Sequence, residues 1–239
     1  MLNEDEIITG GVAVATEEVV IEQVPTREHK IIEVRGGKLY AFLKRLEDIV
    51  ASLLAIIILF IPMLIVGLLV KLTSKGPMIY VSDRVGKDGK VFKFYKFRSM
   101  KDNADLELEN LLDQNEVEGG VIFKMEDDPR ITKFGKFIRK TSIDELPQLF
   151  NILKGDMSLV GPRPCTVREY SLYSDRDKLR LKVPQGLTGE WQVCGRSNTT
   201  FDEMIEMDLD YITNKRGFWY DIGLLFRTIP AFLFKRGAK

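Results

Sequence analysis

Residues Ile49–Val70 contain no charged side chain, and this segment constrains the fold more than any other. As a straight helix it would extend about 33 Å, close to the ~30 Å hydrocarbon thickness of a bilayer. From hydropathy alone a single spanning helix fits. Pro62 argues for something else. Inside a helix it removes one backbone hydrogen bond and crowds the preceding turn, so a break is expected there. Lys44 and Arg45 precede the run, and Lys71 and Lys75 follow it. Basic flanks on both sides specify no orientation, but they suit a segment whose two ends stay on the cytoplasmic side. Neither half of a broken helix would cross about 30 Å alone. A re-entrant helix broken at Pro62 is therefore favoured over a spanning one.

The chain has 239 residues, 45% of them hydrophobic, enough for one core of ordinary size plus an appendage. The formal net charge is zero, so nucleic-acid binding has no global electrostatic support. The charge is unevenly distributed. Residues 1–35 hold eight acidic side chains against Arg27, Lys30 and Arg35, and the remainder is correspondingly basic, as suits a body facing phosphates or anionic lipid. Residues 1–38 read as a mobile acidic extension, although Val12–Val20 could pair as a strand. A cleavable signal peptide is not expected, because the apolar run begins too far from the start. Residues 39–239 read as the membrane-associated domain.

Within that domain, Pro77–Val85 and Lys90–Met100 are rich in β-branched and aromatic residues and flank an Asp88-Gly89 turn, which is a hairpin signal. Helices are expected at Asn103–Gln114, Ile131–Arg139, Asp144–Leu153, Val167–Leu181 and Phe201–Thr213. Gly161-Pro162-Arg163-Pro164 cannot be helical. Phe218–Phe234 is amphipathic, which suits a helix lying in the membrane interface or a docked terminal helix.

His29 is the only histidine, and Cys165 and Cys194 are the only cysteines. A Cys/His zinc site and a Ser-His-Asp triad are thereby excluded, and no disulfide framework is available. There is no Walker A motif and no GxGxxG. Chemistry must come from carboxylates, cations or hydroxyls. The focal segment is Thr141-Ser142-Ile143-Asp144-Glu145-Leu146-Pro147-Gln148. Pro147 belongs in a first helical turn, so a helix begins near Ser142 to Asp144. Locally, Ser142-x-x-Glu145 reads as a capping box, with Asp144 as an alternative cap. The functional alternative is a phosphate-gathering helix start beside Arg139 and Lys140. There, one carboxylate attacks phosphorus and the other holds a hard divalent cation, magnesium or manganese rather than zinc. Arg84, Arg98, Arg163 and Arg196 lie in Gly- or Pro-fixed stretches. Each is a candidate for bidentate phosphate contact, set against the blander reading of surface charge or structural ion pair.

Taken together, these segments resemble the bacterial sugar transferase family, the monotopic polyprenyl-phosphate phosphoglycosyl transferases. The similarity runs in the family's order across roughly residues 40–239. It begins at Lys44-Arg45-Leu46-Glu47-Asp48 leading into the apolar run. It continues through Asp83-Arg84-Val85-Gly86-Lys87-Asp88-Gly89-Lys90, Tyr95-Lys96-Phe97-Arg98-Ser99-Met100 and Asp128-Pro129-Arg130-Ile131-Thr132. Beyond these lie the Arg139–Leu149 segment, Asn151–Pro164 ending in Gly161-Pro162-Arg163-Pro164, and Trp191-Gln192-Val193-Cys194-Gly195-Arg196.

The resemblance implies a mainly helical α/β fold: a re-entrant membrane helix, interfacial amphipathic helices and a small catalytic body on the cytoplasmic face of the bacterial inner membrane. It implies a ping-pong reaction in which Asp144 takes a phosphosugar from a UDP-sugar, releases UMP, and passes the phosphosugar to undecaprenyl phosphate. Glu145 would bind Mg2+, and Arg139 and Arg163 would touch phosphates. A homodimer is compatible with this reading, and the donor is guessed as galactose or glucose type. The chain departs from the family in having Ile61 where Ser often precedes the proline, in Cys194, and in an acidic extension without counterpart. No multi-span region precedes the domain, so a short form is expected. The competing class is a non-catalytic membrane scaffold for polysaccharide assembly, which the presence of both Asp144 and Glu145 disfavours.

Overall fold

The polar stretch before the apolar run is helical too. In the computed structural model, which describes residues 32–116, 121–123, 125, 127–194 and 199–233, helix α1 covers Lys38–Thr73. At 36 residues it is about 54 Å long. The helix runs through Pro62 without interruption, so the expected break in secondary structure is absent. A proline deletes a single donor and displaces a single carbonyl, and a long helix held by neighbours on both sides of the defect carries on past it. The strand considered at Val12–Val20 and the side chain of Arg196 fall outside the described residues.

One stripe of α1 faces the protein along nearly its whole length: Lys44, Asp48, Ser52, Met63, Gly67 and Val70 are buried. The opposite side, including Leu54, Ile58, Ile61, Leu68 and Leu72, is exposed. The most apolar part of α1 has a mean hydropathy of 3.2 and only 17% of it is buried. That separates it from the core helix of a soluble protein, which buries its apolar surface. Helix α1 is thus long and apolar enough to cross a membrane, with most of that surface left for lipid.

The inward stripe changes chemistry along its length. Near the start it is polar. Lys44 Nζ reaches Asp221 Oδ2 at 2.6 Å, and Asp221 also accepts from the hydroxyls of Tyr40 (2.6 Å) and Tyr211 (2.8 Å). Arg45 donates to the carbonyls of Ile152 and Leu153 at 2.7 and 2.8 Å, satisfying the open end of a short helix. Asp48 accepts from Ser158 Oγ (3.0 Å) and the Leu159 amide (2.8 Å). Toward the other end the stripe is apolar, with Met63 and Val70 clustering with Phe97 and Ile138. Gly67 permits close approach there, since a Cβ would stand 3.3 Å from Met78 Sδ.

Behind α1, strands β1 (Ile79–Val85) and β2 (Val91–Phe97) form the expected antiparallel hairpin, with Ile79 opposite Phe97 and Val85 opposite Val91. Its turn carries Asp88 and Gly89 at φ 55° and 77°, the left-handed conformations that Asp-Gly tolerates. The hairpin leads through a loop and a 3-10 turn at Glu109–Gln114 to helix α2 (Lys133–Lys140). Helix α3 (Gln148–Lys154) follows, then strand β3 (Ser158–Val160) and the short β4 (Cys165–Thr166), which adds to β1 in the order β2-β1-β4. The outer edge of β2 is covered by Asn151 of α3, whose amide group accepts from the Tyr95 N–H and donates to the Lys93 carbonyl. Helices α4 (Val167–Ser171) and α5 (Asp175–Lys178) precede β5 (Gly186–Thr188), which pairs parallel to β3. Helices α6 (Glu190–Cys194), α7 (Phe201–Asp210) and α8 (Phe218–Leu233) complete the order.

Several expected helices are shorter or split. Residues 103–114 form turns and a 3-10 turn rather than a regular helix. Asn103 is left-handed, Leu106 is 78% exposed and only Ala104 of the stretch is buried, too little apolar surface to support one. Val167–Leu181 divides at Ser174, which starts α5 with its own capping box to Asp177. The helix expected to begin at Asp144 divides at Pro147: a 3-10 turn covers Ile143–Glu145, and α3 begins at Gln148. Ile32 and Val34 of the N-terminal segment pack against the main core.

Asp221 is fully buried, and its removal would leave the buried Lys44 without its ion-pair partner. Asp221→Ala is expected to cost about 3–5 kcal/mol, read as a fall in the thermal midpoint in detergent. Pairing it with Lys44→Met should recover a measurable part of the loss, because no uncompensated buried charge remains.

Candidate active site

The focal segment does not cap a helix. Ser142 adopts φ 54° and ψ 17°, a left-handed conformation, and its side chain makes no capping hydrogen bond. The Ser142-x-x-Glu145 capping box is therefore absent. Arg139 and Lys140 close α2, Ser142 reverses the chain, and the turn at Ile143–Glu145 projects two adjacent carboxylates. Ile143 and Leu146 anchor that turn against the apolar cluster of Val70, Phe97 and Ile138. Asp144 is 7% exposed, and Glu145 is partly buried.

The wall facing these carboxylates comes from one face of the hairpin. Tyr80, Ser82 and Arg84 of β1 stand opposite Lys96, Phe94 and Phe92 of β2, and cross-strand partners share a face. Arg84 is 8% exposed. It lies 5.1 Å from the Phe94 ring centroid and donates one bond to the Pro164 carbonyl at 3.3 Å, while its buried Nε has no hydrogen-bond partner. Arg163, in the loop between β3 and β4, is exposed.

The electrostatics tie these groups into one site. Burial, with Glu145 adding to it, pushes the Asp144 carboxyl up to about 7, against the pull of Lys96 and Arg139. Burial also raises Glu145, opposed by Arg163, Lys96, Arg139 and Arg84. Lys96 is lowered to about 8 by burial and by Arg139, with Asp144 acting the other way. Arg84 is lowered by burial and by Arg163. Despite four cations acting on them, neither carboxylate forms a direct ion pair among the described residues. Charges are gathered without being neutralised in contact, as a site for a polyanion requires.

Asp144, Glu145, Arg139, Arg163 and Arg84 are thus brought together. Arg98 is placed elsewhere: it is 4% exposed and donates to the carbonyls of Ser74, Pro77 and Met100, holding the end of α1 against the sheet. Arg196 is not among the described residues. Asp128-Pro129-Arg130 serves structure through a buried Asp128–Arg130 pair at 2.7 Å. Lys96 is the site residue that sequence reasoning missed. Its signal was available, because it continues the alternation Phe92, Phe94 on a face otherwise apolar in that strand.

Among the described residues, no group of three or more His, Cys, Asp and Glu side chains is placed to hold a metal. The adjacent Asp144 and Glu145 carboxylates are suited to a hard cation that completes its shell with water and phosphate, as magnesium does. They do not suit a closed structural zinc site.

The fold is an α/β body carrying one long apolar helix, with two adjacent carboxylates among four cations. The sequence profile described as "Bacterial sugar transferase" matches residues 39–235, and the chain belongs to that family. It is 53% identical over 165 residues to a galactosyl transferase, CpsE, of Streptococcus agalactiae, covering 69% of this chain and 36% of the relative. It is 47% identical over 201 residues to an undecaprenyl-phosphate galactose phosphotransferase of Salmonella typhimurium, covering 82% and 42%. The exopolysaccharide production protein ExoY of Sinorhizobium fredii is 39% identical over 201 residues, covering 82% and 87%. The chain thus spans about two-fifths of the length of the first two relatives and most of the third.

Because ionisation of Asp144 is disfavoured in the folded protein, its contribution to stability is full below its ordinary value near 4 and lost as pH rises through about 7. Asp144→Asn should accordingly raise the thermal midpoint, in chelator, more at pH 8 than at pH 4. An equal shift at both pH values would show that Asp144 ionises freely in the fold.

Proposed function

We propose that this chain is a phosphoglycosyl transferase that moves a phosphosugar from a UDP-sugar to undecaprenyl phosphate. The observation that carries this reading is a buried Asp144 near Lys96 and Arg139, beside a Glu145 that Arg163 and Arg84 also act on, with no ion pair to either carboxylate among the described residues. In the first step an Asp144 carboxylate oxygen attacks the β-phosphorus of the donor. The bond to the bridging oxygen breaks and UMP leaves with that electron pair, giving an aspartyl-phosphosugar. In the second step an oxygen of the polyprenyl phosphate attacks the same phosphorus, and the Asp144 carboxylate departs unchanged.

Lys96 and Arg139 favour the ionised form of Asp144 that the attack needs. Arg163 and Arg84 stand near Glu145 and supply positive charge for diphosphate oxygens. A magnesium ion held by Glu145 would neutralise charge on the diphosphate. The named activities of the relatives, galactose or glucose phosphotransfer to undecaprenyl phosphate among them, support the substrate classes.

The lipid acceptor requires a site at the membrane. Helix α1 packs on the same body from Lys44 to Val70. This favours a helix whose two ends stay on one side of the bilayer, because a spanning helix would separate its ends by the hydrocarbon core. Helix α1 must then bend at Pro62 while remaining helical. Trp219 and Phe226 on α8 are 82% and 70% exposed, which suits that helix to the interface. These features support a body at the cytoplasmic face of the inner membrane, where a nucleotide donor is soluble and a polyprenyl phosphate is within reach.

Incubation with a panel of UDP-sugars, magnesium, detergent and undecaprenyl phosphate should release UMP from one donor. Asp144→Asn should abolish that release, by at least about a thousandfold, while leaving the protein folded. Folded protein releasing no UMP from any donor would favour a scaffold. In a Cys194→Ser background, cysteines at Lys38 and Lys75 should both react with an impermeant reagent from the cytoplasmic side of vesicles. Labelling from opposite sides would establish a spanning helix instead.

A further inference from the structure

Lys96 faces an aromatic side chain directly across the hairpin, and unlike Arg84 it has no backbone carbonyl to bond among the described residues. Tyr80 is its cross-strand partner, and Lys96 Nζ lies 5.2 Å from the Tyr80 ring centroid. The ring is itself fixed: Tyr80 Oη donates to Asp105 Oδ2 at 2.7 Å, and Asp105 lies in the exposed loop that follows β2. Elsewhere, Lys96 is attracted by Asp144 and repelled by Arg139, Arg84 and Arg163. An ammonium in that position needs a tether, or it will swing toward solvent.

We infer that Tyr80, oriented by Asp105, is a positioning residue that holds the Lys96 ammonium toward the Asp144 carboxylate. The physical basis is a cation over the negative face of an aromatic ring, worth about 0.5–2 kcal/mol according to desolvation. A phenol donating to a carboxylate gains electron density in its ring, so the Asp105 bond strengthens the same contact and fixes the far end of the side chain. Burial and Asp105 push the Tyr80 hydroxyl up to about 12, so it stays a donor throughout the neutral range. Lys96 makes no ion pair with a described residue, which leaves Tyr80 as the contact that fixes its direction. The loop carrying Asp105 is thereby coupled to the reacting carboxylate through two side chains.

The role rests on the transferase reading proposed above, and two measurements separate the failure of one from the failure of the other. The first is a double-mutant cycle on UDP affinity and turnover with magnesium, using Tyr80→Leu, Lys96→Met and the pair. Tyr80→Leu should weaken the wild type on the order of three- to tenfold, mainly in kcat, and have no effect in the Lys96→Met background. Tyr80→Phe, which keeps the ring, should stay within about twofold of wild type. The same cost in both backgrounds would make Tyr80 a structural residue and overturn the inference.

The second measurement is the rate of Lys96 acetylation by acetic anhydride, read by peptide mass spectrometry without substrate. Loss of the ring should expose the amine and raise that rate about threefold or more. An unchanged rate overturns the inference even if the protein binds no UDP. If Tyr80→Leu fails to fold, Asp105→Asn and Tyr80→Val take its place on the same readouts. Because Asn can still accept from the Tyr80 hydroxyl, Asp105→Asn should leave both readouts within about twofold. Tyr80→Val, which also removes the ring, should repeat the Tyr80→Leu pattern, and no change with Tyr80→Val in either readout would again overturn the tether.

Discussion

Everything downstream of α1 depends on Asp221. A fully buried carboxylate accepts from Lys44, Tyr40 and Tyr211, joining the first long helix to the last one. Without that knot an apolar helix about 54 Å long would have little reason to stay beside a polar body rather than dissolve in lipid alone. The pair is a poor source of raw stability, because burying two charges costs about as much as their attraction returns. Its value lies in register. Lys44, Arg45 and Asp48 each have one partner that fits, on α8, α3 and β3 in turn, so α1 can neither slide nor rotate against the body. The basic flank that looks like a membrane-topology signal is thus equally a clamp.

The candidate site shows the opposite arrangement. Cations and carboxylates are held near each other without contact, which leaves Asp144 raised to about 7 and Lys96 lowered to about 8. A structure optimised for stability would close these gaps into ion pairs, as it does at Asp128–Arg130. The left-handed Ser142 helps keep them open, since it aims the two carboxylates away from the helix end they would otherwise cap. A bound diphosphate would satisfy the surplus of positive charge.

Much of this was legible from residues alone. The hairpin followed from β-branched runs around Asp88-Gly89, and the membrane attachment from the uncharged run at Ile49–Val70. Asp144 and Glu145 stood out because the chain has a single histidine and no zinc ligand set, which leaves carboxylates, cations and hydroxyls as the candidates, and because Pro147 puts a helix start beside them. Other features resisted local reading. Ser142-x-x-Glu145 has the spacing of a capping box, and only the fold shows that the serine is left-handed. Arg98 looks like Arg84 in sequence, yet it is committed to three carbonyls while Arg84 faces the site.

What the sequence determined by itself was the inventory: an uncharged helix of membrane length, a two-stranded hairpin, and a chemistry confined to carboxylates, cations and hydroxyls. Those depend on composition and short-range periodicity, which act between residues a few positions apart. The tertiary structure decided which charges are clamps and which are left open. Lys44 meets Asp221 across 177 positions, and Lys96 comes within electrostatic reach of Asp144 only because β2 and the turn after α2 pack on one apolar cluster. Whether a charge is neutralised or left available is settled by burial and by its nearest partner in space, and neither quantity is local in the chain.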